Sequence, residues 1–150
     1  MPEGGLTTDA VAERIRRSFD KQQVMQTIGA SLAHVAPGEV HIVLPIRPDL
    51  TQQHGYVHAG IIATIADSAC GYAALSVMPD DAAVLSIEFK INMLAPADGL
   101  RLIARGTVIK PGRTIVVCNA EVHAERGDSE KLVATMTGTM MVVRGRGMVD

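Results

Sequence analysis

The chain reads as an α+β fold, a strongly curved antiparallel sheet wrapped around one long apolar helix, and three features predict it. From Ala59 to Met78 runs AGIIATIADSACGYAALSVM, in which Asp67 is the only charged residue. A helix this apolar needs a surface against most of its circumference. Beyond Pro79 the apolar pattern changes from a helical to a strand period. Short turns rich in Gly and Pro then separate consecutive strands, which predicts antiparallel hairpins and a meander. Helix on curved sheet is the layer arrangement that buries both apolar surfaces.

Length and composition frame this reading. A chain of 150 residues is expected to form a single domain with a sizeable core. Its hydrophobic share of 47% argues against a disordered chain, and its net charge of −2 offers no electrostatic case for nucleic acid or an anionic membrane. Aromatics are scarce and Trp is absent, so base-stacking platforms are missing too. The two cysteines, Cys70 and Cys118, lie in apolar surroundings and read as buried hydrophobes in a reducing compartment. The opening MPEGGLTTDAVAERIRRSFD has no apolar signal-peptide region. The expected location is therefore the cytoplasm. A membrane span at Ala59–Met78 is disfavoured, because an acid at its centre costs about 2.5–3.5 kcal/mol on insertion.

Thr8 is the expected cap of a first helix, with Val11, Ile15 and Phe19 on its apolar face and Glu13, Arg14, Arg16 and Arg17 on its wet side. A second short helix is expected through Lys21–Ile28, stopped by Gly29. Strand His34–Ala36 turns at Pro37-Gly38-Glu39 into strand Val40–Ile46. Arg47-Pro48-Asp49-Leu50 breaks regular structure, and the loop Thr51–Val57 leads into the long helix. That helix should begin near His58 and end by Met78-Pro79. In the next strand Leu85, Ile87, Phe89, Ile91 and Met93 alternate with Ser86, Glu88, Lys90 and Asn92. Turns at Pro96–Gly99, Lys110–Arg113 and Arg126–Ser129 separate three further strands, Leu102–Ile109, Thr114–Glu125 and Leu132–Val143. Residues 1–29 thus form an N-terminal helical segment, and Arg144–Asp150 reads as a flexible tail. An edge strand is left that a second subunit can cover.

The segment Gln52-Gln53-His54-Gly55-Tyr56-Val57-His58-Ala59-Gly60 and the helix that carries it to Asp67 resemble the signature of hotdog-fold acyl-CoA thioesterases of the phenylacetate-degradation (PaaI) type. That signature has an Asn, a Gly, then His-Gly-Gly, and an Asp nine residues after the His. The resemblance continues through Leu85–Phe89, Leu94–Gly99, Lys110–Arg113 and the last strand. It departs from the family at Gln52, where Asn is usual and Gln53 competes for the place, and at Ala59, where the second residue of His-Gly-Gly is Gly.

The resemblance implies hydrolysis of an acyl-CoA, aromatic or medium to long in chain, to a free acid and CoA. No cofactor is implied, since coenzyme A is part of the substrate. Thioester hydrolysis needs a nucleophile or base and donors for the developing oxyanion. The N-terminus of a helix offers free N–H groups and a positive dipole end. The Ala59 amide, with Gly60, is the candidate oxyanion donor; His58 and Gln52 are candidate orienting residues. Asp67 is the candidate nucleophile or general base, and Ser86, on the polar side of its strand, the candidate for positioning water or the carboxylate. Thr64 and Ser68 flank Asp67 as candidate hydrogen-bond partners, and His54 is a candidate for lining the site. Lys110 and Arg113 are candidates for CoA phosphate contact.

Asp67 stands about 12 Å along its helix from Ala59. The resemblance resolves this separation, because hotdog sites join an acid and an oxyanion hole from different subunits. A homodimer or a dimer of dimers is therefore expected. A zinc site at His54 and His58 is disfavoured, because no third ligand is nearby, and no metal is expected. Two rival readings are a hotdog acyl-CoA hydratase or dehydratase and a non-catalytic acyl or CoA binder.

Overall fold

The computed structural model describes residues 7–150; the parts of the expectations above that concern residues 1–6 lie outside the described residues. Helix α1 (Thr8–Lys21) is capped by Thr7, one residue before the expected Thr8, whose hydroxyl accepts from the Ala10 N–H at 3.2 Å. Helix α2 (Gln23–Ile28) ends at Gly29, which takes the left-handed conformation (φ 83°) that a glycine adopts without strain. Strands β1 (Ser31–Ala36) and β2 (Glu39–Pro45) form the expected hairpin. A 3-10 turn at Pro48–Leu50 precedes helix α3 (Ala59–Leu75). Strands β3 (Ala83–Met93), β4 (Arg101–Pro111), β5 (Ile115–Arg126) and β6 (Ser129–Val143) complete the sheet.

All pairings are antiparallel, in the order β1-β2-β4-β5-β6-β3. The sheet wraps α3, whose Ile65, Ala66, Ala69, Cys70, Ala73, Ala74 and Leu75 are fully enclosed. Small side chains let the helix approach the sheet closely. At Gly106 in β4 an added Cβ would sit 2.3 Å from the Ala69 carbonyl oxygen, so the two backbones are in near contact there.

Four expectations are corrected. First, β3 and β4 are not a hairpin. β3 lies at the far edge beside β6, while β4 lies between β2 and β5. Residues 94–100 cross the end of the sheet. Along that path Leu94 N–H donates to the Val133 carbonyl, the Ala97 carbonyl accepts from the Val57 N–H, and Leu100 N–H donates to the Glu125 carbonyl. Second, Lys110 and Pro111 belong to β4 rather than to a turn, because they pair with Val117 and Val116.

Third, the simple alternation of β3 fails at a bulge between Ser86 and Glu88. Ser86 pairs with buried Met140 and Phe89 with buried Gly138. Cross-strand partners share a face, so Ser86 looks toward α3 and not away with Glu88. The extra residue shifts the phase.

Fourth, Arg14 is not on a wet face. It is 4% exposed, and its guanidinium donates to the carbonyls of Leu75, Met78, Pro79 and Ala82 at 2.8–3.3 Å. It closes the C-terminal end of α3, where carbonyls lack helical partners and the dipole is negative. Burial works against its charge and lowers its pKa. Residues 144–150 carry no helix or strand, and three side-chain contacts hold them: Arg144 to Asp81, and the Asp150 carboxylate to the Val84 N–H at 2.8 Å and to the Ser18 hydroxyl at 3.4 Å.

Candidate active site

The start of α3 carries the first half of the site. His58 is its N-cap, and its Nδ1 accepts from the Gly60 N–H at 2.8 Å. An accepting Nδ1 leaves the ring proton on Nε2. The Gly60 amide is thereby used up as a cap, which corrects its expected place as an oxyanion donor. The Ala59 N–H has no partner among the described residues and faces solvent. One free amide at the positive end of a 17-residue helix can donate to a negatively charged oxygen.

Loop 51–57 holds this turn in place. Thr51 and Val57 bridge, Val57 N–H donates to the Ala97 carbonyl, and His58 N–H donates to the Leu50 carbonyl, both at 2.9 Å. Gln52 shares a cleft with Ala59, Tyr56, Ile62 and the crossing segment 93–97. Its side-chain oxygen accepts from the His54 N–H, while the His54 ring is exposed and lies outside that cleft. Gln53 is exposed and also outside it.

The second half lies two turns further along α3. Asp67 is half-buried, and its Oδ1 accepts from the Ser86 hydroxyl at 2.7 Å. Of the candidates for holding this acid, the fold supplies Ser86 from β3. The two expected neighbours do not bond it. Thr64 Oγ1 donates back to the Gly60 carbonyl at 2.7 Å, and Ser68 Oγ donates to Gln22 Oε1 at 2.9 Å. Both hydroxyls find nearer acceptors on their own side of the helix. Asp67 and Ser86 open on a different cavity from the Ala59 cleft, so the two halves do not meet within one chain.

Lys110 near the end of β4 and Arg113 in the turn that follows stand exposed, outside both cavities and without an ion-pair partner among the described residues. Burial pushes the Cys118 thiol up to about 12 and raises that of Cys70 further, so both stay protonated and unreactive, as small core residues. The Asp67 cavity has residues that the sequence did not single out: Ser18 and Gln22 from α1 and its end, Tyr72 from α3, and Asp150. Gln22 sits at the break between two helices, a place that local pattern cannot connect with a residue some fifty positions away.

A profile of the Thioesterase superfamily matches residues 54–131, more than half of the chain and the stretch that holds both half-sites. The chain belongs to the thioesterase superfamily. It is a thioester hydrolase of hotdog fold. A thioesterase family protein from Silicibacter pomeroyi is 50% identical with a TM-score of 0.88, covering 90% of this chain and 99% of its own. The Escherichia coli PaaI protein from the phenylacetic acid degradation operon shares the fold at 19% identity and TM-score 0.83, over 92% of this chain and 96% of its own. A Halobacterium salinarum relative carrying a provisional esterase name is 32% identical over 93% of this chain and 97% of its own. A 1,4-dihydroxy-2-naphthoyl-CoA hydrolase from Listeria monocytogenes is 25% identical over 82% of this chain and 98% of its own. No helix among the described residues is long and apolar enough to cross a membrane.

Proposed function

We propose that this thioesterase hydrolyses acyl-CoA at a site shared between two copies of the chain. The observation that carries the reading is the division of the machinery. A carboxylate held by a serine opens on one cavity, and a free helix-start amide opens on another. Neither half suffices for acyl transfer. The edge strand β3 offers a place to join copies: Leu85, Ile87, Phe89 and Met93 are 43–53% exposed there, and its outer side has no partner strand among the described residues. An apolar open edge is the surface a second subunit covers.

In the joined site the thioester carbonyl oxygen accepts from the Ala59 N–H of one copy. Asp67 of the other copy either attacks the carbonyl carbon or removes a proton from an attacking water. The tetrahedral intermediate collapses with cleavage of the C–S bond, and the sulfur leaves as the CoA thiolate, which takes up a proton. Where water attacks, this gives the free acid directly. Where Asp67 attacks, it leaves an acyl–aspartyl anhydride, which water then hydrolyses to the free acid and the Asp67 carboxylate. Ser86 fixes the carboxylate by its hydrogen bond, and Gln52 braces the oxyanion turn. Water is the only co-reactant, so the scheme needs neither cofactor nor metal. Exposed Lys110 and Arg113 are the proposed contacts for CoA phosphates, and the proposed compartment is the cytoplasm.

The test is thiol release from acyl-CoA by Asp67→Asn, which keeps the side-chain shape and the contact to Ser86 while removing base and nucleophile. We expect kcat to fall by about a thousandfold or more. Turnover at the native rate would refute the assignment.

A further inference from the structure

The cavity that Asp67 lines also holds polar groups that thioester chemistry does not require. Asp67, Ser86, Gly71 and Val84 line it together with Gln22 and with Tyr72, which is almost fully buried. Its volume is about 140 Å³, close to that of cavities which hold one benzene ring. Five residues of α3 separate Asp67 from Tyr72, about 7.5 Å along the axis. That span and that volume suit a short acyl chain or a single ring, and a fatty chain is larger than both.

The groups around Tyr72 have donors to spare. Gln22 Nε2 gives one N–H to the Tyr72 hydroxyl at 3.2 Å, and its second N–H has no acceptor among the described residues. The Tyr72 hydroxyl has one other partner there, Ser18 Oγ at 3.3 Å, which also lies 3.4 Å from Asp150 Oδ1. Contacts this long are weak for a pair of hydroxyls. Burial raises the phenol pKa, so Tyr72 stays a neutral donor at working pH. A substrate oxygen placed beside Tyr72 would gain a donor that the protein itself leaves poorly matched. The carboxylates of Asp67 and Asp150 line the same cavity and repel an anionic group, so the oxygen must be neutral.

We infer that Tyr72 and Gln22 are specificity-determining residues that select a short acyl group carrying a neutral oxygen, hydroxyl or keto, at its far end. This rests on the assignment of Asp67 to the reacting centre. Gly71 supplies an independent handle. A Cβ added there meets nothing within 4 Å, and alanine favours a helix interior over glycine. Gly71→Ala should therefore fold at least as well as the native chain while narrowing the cavity.

The experiment measures kcat/KM by thiol release for acetyl-CoA, hexanoyl-CoA, 6-hydroxyhexanoyl-CoA and palmitoyl-CoA. The native protein should prefer 6-hydroxyhexanoyl-CoA over hexanoyl-CoA by about 3- to 10-fold, the worth of one hydrogen bond, and turn over palmitoyl-CoA least of the three longer substrates. Tyr72→Phe should bring the hydroxylated-to-plain ratio close to one. Gly71→Ala should lower the ratio of hexanoyl-CoA to acetyl-CoA. A native ratio of one or below, palmitoyl-CoA as the best substrate, or Tyr72→Phe with the native preference would each overturn the inference while leaving the thioesterase intact. Should Tyr72→Phe not fold, an unchanged hexanoyl-to-acetyl ratio in Gly71→Ala overturns it. Thiol release from none of the four would sink the acyl-CoA reading and this inference together.

Discussion

A serine hydroxyl donating to one carboxylate oxygen restrains the whole carboxylate, because the two oxygens rotate as a unit. Ser86 does this to Asp67 at 2.7 Å, and Oδ2 has no hydrogen-bond partner among the described residues. Removing the hydroxyl should free the carboxylate without unmaking it. We expect Ser86→Ala to lower kcat by about ten- to a hundredfold with little change in KM, the pattern of a group that acts on the reacting geometry rather than on binding. A raised KM at native kcat would make Ser86 a binding residue instead. Asp67 itself was legible from its isolation in an apolar helix. Its partner was legible only as a candidate, and for the wrong reason: strict alternation put Ser86 on the far side of its strand, and the bulge after it turned it toward the helix. The bulge leaves no mark in the alternation of side-chain types, which runs unbroken from Leu85 to Met93.

At the scale of elements, α3 is held at both ends by side chains that neutralise its unpaired backbone groups. His58 serves the N-terminus with one nitrogen, and Arg14 serves the carbonyls at the other end with four contacts. Replacing Arg14 by methionine keeps the apolar stem and strands the Met78 and Ala82 carbonyls, while those of Leu75 and Pro79 keep a backbone N–H donor. Arg14→Met should cost about 3 kcal/mol of stability, read as a lower urea midpoint at unchanged m-value. Along the middle of the helix the constraint is steric. At Gly106 the sheet backbone and the Ala69 carbonyl leave no room for a methyl group. Gly106→Ala should destabilise by about 1–3 kcal/mol, measured by thermal unfolding, whereas a neutral result would mean that helix and sheet shift apart freely. The helix, its limits and its burial are readable from composition and period. Arg14 is not, because an arginine in an amphipathic helix looks solvent-facing until the carbonyls it serves, more than sixty residues away, are brought to it.

For the whole molecule the decisive matter is where the two half-sites meet. Ala59 is the first residue of α3, and His58 before it has φ −61° and ψ 137°, which is the conformation that precedes a proline. Ala59→Pro therefore removes the proposed oxyanion donor at a helix position where proline is well tolerated. Alone, Ala59→Pro and Asp67→Asn should each be nearly inactive. Refolded together in equal amounts, half of the dimers are hybrids with one intact site of two, so activity should recover to about a quarter of native. No recovery would place both halves of the site within one chain. The same preparation run on a sizing column with light scattering reports whether the unit is a dimer or a dimer of dimers.

The amino-acid sequence by itself determined the layer architecture, the long buried helix, the acid within it and the turn that begins it. These follow from period, composition and spacing, which act over neighbouring residues. Only the tertiary structure decided the strand order, the crossing of residues 94–100 over the end of the sheet, the contact between Ser86 and Asp67, the capture of the Gly60 amide by His58, and the polar lining of the cavity at Gln22 and Tyr72. Each of these joins groups that are brought together by backbone pairing or by a side-chain rotamer. Local pattern specifies which face a residue prefers. Which distant group waits on that face is set by the register and connections of the whole sheet.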